Sequence, residues 1–586
     1  MCGIAGIMTV GSPPPPAVLA AMEDALAHRG PDGRGRYVSG NLGMVHTRLA
    51  IIDLTTGDQP IREPGGAALI ANAEIYNYVE LHEELSGVAF ATASDCEPPL
   101  HLYRRLGIGF AEKLRGMYAM AIHDPASGRL LLSRDPFGIK PLYYAETPNC
   151  FAFASEPEAL IAAGIVAPRI NTHRRLELMQ LQFTTGDETM FDGIRRVAPG
   201  ETLVVSGGRV IERRRRLALP RSGPRTEDEE AALKRLDAAL EDSVRVHQRA
   251  DVPYGMFLSG GIDSTALLVM MARLNDRPVR AYTAGFSGTR VADERAQARL
   301  VAQKLGAEHV EVEVSEEDFW ALLPAIAAAM DDPAADYAVV PTYKLASVAG
   351  RDVKVVLSGE GGDEMFAGYG RYRSVLRPWW RGGRPMRPHG FLEGLGVLRT
   401  ESPGWRDGIA AAEINASLPH RTKLQIAQAT DVADWLPNDL LIKLDRCLMA
   451  HGVEGRTPFL DPVVADAAFR LPDSLKVRKG VGKWLLREWL NRHLPEAAPF
   501  SRKRGFTVPV GQWIARRGKI LGELIAEESG VAQVCHAEAV RRLFVSGGRR
   551  AELAAWVLLF YALWHRRHIL GLDPAGDVFE TLAQRG

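Results

Sequence analysis

Tyr254-Gly255-Met256-Phe257-Leu258-Ser259-Gly260-Gly261-Ile262-Asp263-Ser264 decides the fold of the larger part of this 586-residue chain. A short apolar run breaks into a paired-glycine turn, and a helix-forming stretch follows at once. Glycines let the backbone turn tightly and approach an anion, while the turn amides and the positive helix N-terminus bind phosphate oxygens. Asp263 cannot serve an anion directly, so its carboxylate fits a magnesium ion held through oxygen. Around this stretch the sequence alternates: a helical period over 228–248, apolar strands over 254–258 and 279–286, a helix over 293–305 and a strand over 353–357. Strand, loop and helix in that order predict a parallel sheet flanked by helices. A second glycine-rich turn, Ser358-Gly359-Glu360-Gly361-Gly362-Asp363-Glu364, closes the strand over 353–357, at the edge where open α/β sheets place ligands. Asp363 is the second magnesium candidate there, and Glu360 the group to orient or deprotonate a nucleophile.

Upstream, short β-rich runs over 42–52, 68–71, 117–123, 130–133 and 151–154 are separated by Gly and Pro turns, which predicts packed antiparallel sheets. A Gly, Arg, Pro and Ser-rich segment over 206–227 reads as a linker. The expected division is therefore a first domain over 1–205, the linker, a second domain over 228–572 and a tail over 573–586. Beyond Met365 the chain reads as mostly helical, with an irregular Arg, Trp, Gly and Pro-rich loop over 373–390. The chain opens Met1-Cys2-Gly3-Ile4-Ala5-Gly6, and removal of Met1 would free an α-amine on Cys2. That amine, with a reference pKa near 8, reaches its own thiol, so one residue supplies nucleophile and base.

Composition bounds these readings. A chain of this length exceeds a single core and points to roughly two to four domains. Lys and Arg together number 71, as do Asp and Glu, so the overall balance recruits neither nucleic acid nor an anionic membrane. The run Arg213-Arg214-Arg215-Arg216 reads as a solvated face of the linker. Five scattered cysteines suggest neither a disulfide framework nor a zinc site and fit a reducing cytoplasm. No basic segment of a secretory signal follows Met1, and the longest apolar run, over 553–564, is short for a membrane span and reads as a core helix.

Further strings carry a family resemblance: His28-Arg29-Gly30-Pro31-Asp32, His46-Thr47-Arg48-Leu49-Ala50-Ile51-Ile52-Asp53, Asn72-Ala73-Glu74-Ile75-Tyr76-Asn77, Ser94-Asp95-Cys96-Glu97 and Arg134-Asp135-Pro136-Phe137-Gly138 in the first half. Lys443-Leu444-Asp445-Arg446, Thr457-Pro458-Phe459-Leu460-Asp461, Lys483 and Arg502-Lys503-Arg504-Gly505-Phe506 follow in the second. Together with both glycine turns, of which the first resembles the loop of the ATP pyrophosphatases, these strings resemble the class B glutamine-dependent asparagine synthetases over roughly residues 2–506. The resemblance implies an N-terminal nucleophile hydrolase, an αββα sandwich, joined to an ATP pyrophosphatase-type parallel sheet.

By position it implies that Cys2 attacks the glutamine carboxamide and that Asn72 with the Ala73 amide forms the oxyanion hole. Arg48, Asn72, Glu74 and Asp95 would hold glutamine, a planar fork for its carboxylate and acids for its ammonium group. Leu258, Ser259, Gly260, Gly261, Asp263, Ser264, Ser358 and Gly359 would bind ATP, Asp263 and Asp363 would hold Mg2+, and Lys483 would offset negative charge beside Glu360. The implied partners are glutamine, aspartate and ATP, with a homodimer common in the family.

Two departures from the family pattern stand out. Ala73 replaces a usual glycine, and if that position needs positive φ, alanine costs roughly 1 kcal/mol or more and slackens the oxyanion hole. Asp332 and Tyr337 depart from the family string in a region expected to abut the acceptor pocket. They leave open an amidotransferase that acts on another carboxylate, a sugar acid or a peptide side chain. A catalytically silent binding protein would be expected to carry degraded loops, and both glycine turns keep Asp263, Glu360 and Asp363.

Overall fold

The computed structural model describes residues 2–289, 291, 293–401, 403–501 and 508–584. Two six-stranded antiparallel sheets build the first half. One runs Arg195–Arg196, Tyr143–Glu146, Cys150–Ala154, Gly3–Thr9, Leu42–Arg48, Gly33–Ser39 in spatial order. The other runs Arg209–Arg215, Glu201–Ser206, Arg129–Arg134, Gly116–Asp124, Ala68–Ile75, Ile61–Arg62.

Alternation along each strand fixes which side chains meet, because successive Cβ atoms point to opposite faces. Ile4 and Met8 of the first strand join Ala68 and Ile70 between the sheets. Ala5 and Ile7 instead face Leu19 and Met22 of the helix Pro16–Ala25, while Leu69 and Ala71 face Leu81 and Leu100 of the helices Tyr78–Glu84 and Pro98–Leu106. Helix, sheet, sheet and helix stack in that order, the expected αββα sandwich.

The second half is built on a five-stranded parallel sheet in the order Glu308–Glu313, Arg280–Gly285, Tyr254–Phe257, Val355–Leu357, Glu454–Arg456. Helices Glu229–His247, Ile262–Leu274 and Arg295–Lys304 pack around it. The apolar run over 553–564 lies within a buried helix, Arg549–His568, whose Trp556 and Trp564 indoles donate to the Ala335 and Asp331 carbonyls at 2.7 and 3.2 Å. No helix among the described residues is long and apolar enough to cross a membrane. All five cysteines are buried and free.

Two expected boundaries need correction. The stretch read as the start of a linker holds the strand Arg209–Arg215, paired with Glu201–Ser206, so the first domain's sheet runs to Arg215. Its arginines alternate on an edge strand that a neighbour holds, which composition alone cannot distinguish from a solvated linker. The tail over 573–586 carries a capped helix, Val578–Ala583, with Val578 and Leu582 buried.

Candidate active sites

Cys2 leads into Gly3–Thr9, a strand with neighbours on both sides, which buries the thiol to 8% exposure. Its backbone nitrogen donates to Asn72 Oδ1 at 3.2 Å, and its carbonyl accepts from Arg29 Nε at 3.2 Å. Burial pushes the Cys2 thiol above its ordinary value, so the attacking thiolate needs a base at hand.

Asn72 is fully buried on the facing sheet, and its Nδ2 has no hydrogen-bond partner among the described residues. A buried amide donor is costly to leave unsatisfied, and here it stands beside Cys2, where an oxyanion formed on a bound substrate would satisfy it. Ala73 continues the regular strand opposite Tyr118 and does not have positive φ, so the strain considered for alanine at this position is absent.

Around this pair the glutamine-binding candidates gather. Arg48 ends its strand 7% exposed, with Nη1 2.8 Å from Asp58 Oδ1 and Nη2 bonded to the Asp53 carbonyl. Asp95 accepts from the Ile75 amide at 2.7 Å, and burial lifts its carboxyl to about 6. Glu74 shares the Asn72 face of its strand, and its Oε2 lies 2.7 Å from Arg456 Nη2, across the domain boundary. Arg456 is fully buried and also engages Glu454 at 2.7 Å and the His247 and Arg249 carbonyls at 2.9 and 2.7 Å.

At the C-terminal edge of the parallel sheet, the strand Tyr254–Phe257 runs through Leu258 and Ser259 into the helix Ile262–Leu274. Gly260 has φ +68°, the left-handed region that glycine enters freely, and the Ser259 and Ser264 hydroxyls brace the turn at 3.0 Å. The second turn follows Val355–Leu357, where the Ser358 amide donates to the Arg456 carbonyl at 2.8 Å. A Cβ on Gly362 would stand 2.5 Å from Asp263 Oδ1, and one on Gly368 would collide with Asp363 and Lys483. Glycine is required at both because the two turns close on the same charged side chains.

Those side chains are Asp263, Asp363 and Lys483. The Lys483 ammonium is 1% exposed, bonded to Asp263 and 2.7 Å from Asp363 Oδ1. Burial pulls this ammonium down, and the two carboxylates outweigh it and hold it above the usual lysine range. Two carboxylates that converge on one cation also suit Mg2+, which takes one or two protein carboxylates and draws its other ligands from water and phosphate.

Glu360 lies 3.2 Å from the buried Lys443 Nζ, which also reaches Asp336 at 3.0 Å. Glu364, the third acid of the turn, is buried and lifted to about 8 by desolvation and then by Asp363, and it accepts from the Tyr369 hydroxyl at 2.8 Å. It faces inward and does not join the other two. Asp332 is tied to the first domain. It makes a bidentate pair with Arg196 of the first domain, both contacts 2.7 Å, and accepts from Tyr143 Oη at 2.8 Å. Of that segment, Asp336 meets Lys443 and the half-buried Tyr337 adjoins it. The string Arg502 to Phe506 lies outside the described residues.

The residues without a role in the sequence analysis join the two halves. Arg29 grips Asp445 through both nitrogens at 2.8 and 3.0 Å and Glu156 at 2.5 Å, and Arg446 ties Asp445 to Asp331. Arg456 goes further, with its side chain on Glu74 and its carbonyl under the Ser358 turn. Charged residues flanking a glycine in Glu454-Gly455-Arg456 are the one local signal that could have marked it.

Comparison with known proteins agrees with both halves. Residues 235–566 match the asparagine synthase family and residues 1–215 the glutamine amidotransferase domain. The chain is 33% identical to asparagine synthetase [glutamine-hydrolyzing] 1 of Bacillus subtilis, over 97% of each protein. A second B. subtilis asparagine synthetase, number 2, is 28% identical over 84% of this chain and 70% of its own length. Amidase chry2 of Gibberella zeae is 32% identical over 60% of this chain and 55% of its own. On this match the chain belongs to the glutamine-hydrolysing asparagine synthetases, ATP-dependent carbon–nitrogen ligases that take nitrogen from glutamine.

Proposed function

We propose that the chain converts aspartate, glutamine and ATP to asparagine, glutamate, AMP and pyrophosphate through an aspartyl adenylate. One observation carries this reading above the others: two glycine turns bring Asp263, Asp363 and Lys483 together at the edge of a parallel sheet, and the strand beside them reaches the glutaminase through Arg456.

In the glutaminase, loss of Met1 turns the Cys2 nitrogen into an amine within reach of Asn72 Oδ1. The amine takes the thiol proton, and Sγ attacks the glutamine carboxamide while Asn72 Nδ2 and the Ala73 amide stabilise the oxyanion. Arg48 holds the substrate carboxylate, and Glu74 with Asp95 holds its ammonium group. Ammonia leaves, and water then frees glutamate from the thioester.

In the synthetase, Ser259, Gly260, Gly261 and Ser264 cradle pyrophosphate, and Leu258, Ser358 and Gly359 contact the nucleotide. Asp263 and Asp363 would hold Mg2+, which would supply charge neutralisation to the phosphates. Lys483 moves its charge from these acids to the α-phosphate as the adenylate forms and collapses. Glu360 orients ammonia and accepts its proton. Lys443 with Asp336 offers one cation and one anion, a match for the carboxylate and ammonium of an amino-acid acceptor.

The test is pyrophosphate release with ATP, magnesium, glutamine and a panel of carboxylates. Aspartate-dependent release with asparagine formed one-for-one is expected. Release driven by another acid and not by aspartate overturns the acceptor, and no release at all overturns the adenylation.

A further inference from the structure

The Arg213 to Arg216 run has no part in either active site, and its second half opens onto a cleft between the domains. That cleft, of about 540 Å³, lies between the loops around Gly186 and Pro199 of the glutaminase, the chain over 215–219, and synthetase helices over 408–438. Its volume is that of a small-molecule site. Leu217, Ala412, Ala416 and Val432 supply an apolar wall.

The charge on the rest of the wall is unbalanced. Arg134 spends its nitrogens on the Lys140, Val197 and Gly138 carbonyls. Arg215 bonds the Pro199 carbonyl at 3.1 Å, and Arg216 bonds the Ala111 and Leu114 carbonyls at 3.0 and 3.1 Å. Arg421 donates to the Ala416 and Pro220 carbonyls at 3.1 and 2.9 Å, while its Nε is buried with no hydrogen-bond partner among the described residues. A carbonyl satisfies a donor without neutralising its charge. The other arginines of the wall differ in this respect: Arg174, Arg196 and Arg213 each pair with a carboxylate, Glu177, Asp332 and Glu201. Against these four guanidinium groups, for which no ion pair stands among the described residues, the wall sets two carboxylates, Asp187 and Asp434, and Asp434 Oδ1 already accepts from the Gly186 amide at 2.7 Å.

A concave, partly apolar wall focuses such an excess of positive charge, and guanidinium forks match phosphate and carboxylate. We propose that this cleft binds a small organic anion with an apolar body, at a site separate from both active centres. The ligand would touch both domains, and its floor would be the helical rod that runs through Asp434 and on to Lys443.

Isothermal titration calorimetry of the full chain with phenyl phosphate tests this. Saturable binding at one site is expected, with none for phenol. Arg216→Gln combined with Arg421→Gln should weaken it about tenfold or more, the loss of charged hydrogen bonds. Ala433→Trp, which fills the cleft and keeps every arginine, should abolish it. Lys483→Met should leave it unchanged, because the adenylation site is elsewhere. The proposal is overturned by an absence of saturable binding, by equal affinity in the double variant and Ala433→Trp, or by loss in Lys483→Met alone.

Discussion

The glutaminase and synthetase centres solve opposite problems. Cys2 heads one strand and Asn72 stands on a facing strand of a sandwich, where ladders on both sheets fix the backbone and leave one amide donor without a partner among the described residues. Asp263, Asp363 and Lys483 stand on turns at the end of an open sheet and satisfy each other. The first site is complementary to a charge that has yet to form. The second must have its own ion pairs parted by a ligand, so binding and charge rearrangement are one event there.

The sharpest break in this comparison is Cys2→Ala. Glutamine-driven synthesis should fall about 10³-fold or more, while synthesis from ammonium chloride stays within about twofold. Glutamate release and asparagine formation report the two separately, and loss of both would mean the centres are not independent.

Lys483→Met acts on the other side. Pyrophosphate release should fall about 10²- to 10³-fold, as for other groups that stabilise transition-state charge. Basal glutamine hydrolysis should persist, and a matching loss of it would merge the two regions into one.

Arg456→Ala attacks the joint. It leaves Glu74 buried without its guanidinium partner and takes from Glu454 the nearer of two cations, Lys140 Nζ staying 3.9 Å away, which should cost about 3–5 kcal/mol in denaturant unfolding. Arg456→Lys should recover part of the stability but less of the coupling between glutamate and pyrophosphate, because a point charge cannot reproduce the fork.

A smaller effect follows from Asp95. Its carboxyl is raised from 3.8 to about 6 by burial, so the folded state favours the proton and gains from it below the ordinary value, then loses that contribution as pH rises through about 6. Asp95→Asn should therefore raise the thermal midpoint at pH 7.5. In the native protein, kcat/KM for glutamine should drop as pH falls below about 6 and the ammonium partner is neutralised.

The least effect belongs to Ala73→Gly. Since Ala73 sits in a regular strand, glycine gains nothing at the oxyanion hole and should cost about 0.5–1 kcal/mol of stability, with glutaminase rate changed less than about twofold.

Much of this architecture was legible along the chain. The turns at Ser259 and Ser358 could be read because phosphate binding at a strand–helix junction needs glycines and a short spacing that lie within a dozen residues. The strand over 117–123 and its neighbours could be read as short β-rich runs between Gly and Pro turns. The segment over 206–227 could not, since an arginine-rich edge strand and a linker share a composition. The partner of Asp332 could not be read either, since Arg196 lies 136 residues away in the chain.

By itself the sequence determined the chemistry on offer: a thiol behind Met1, two anion-binding turns with their acids, and a sandwich joined to a parallel sheet. These features are local, written in the spacing of neighbouring residues. Only the tertiary structure decided that Glu74 faces Arg456, that Arg29 reaches Asp445, and that four arginines with no ion pair among the described residues line one cleft. Such pairings depend on which sheet edges and helix faces come together, and charges far apart in the chain carry no periodic signal that would announce it.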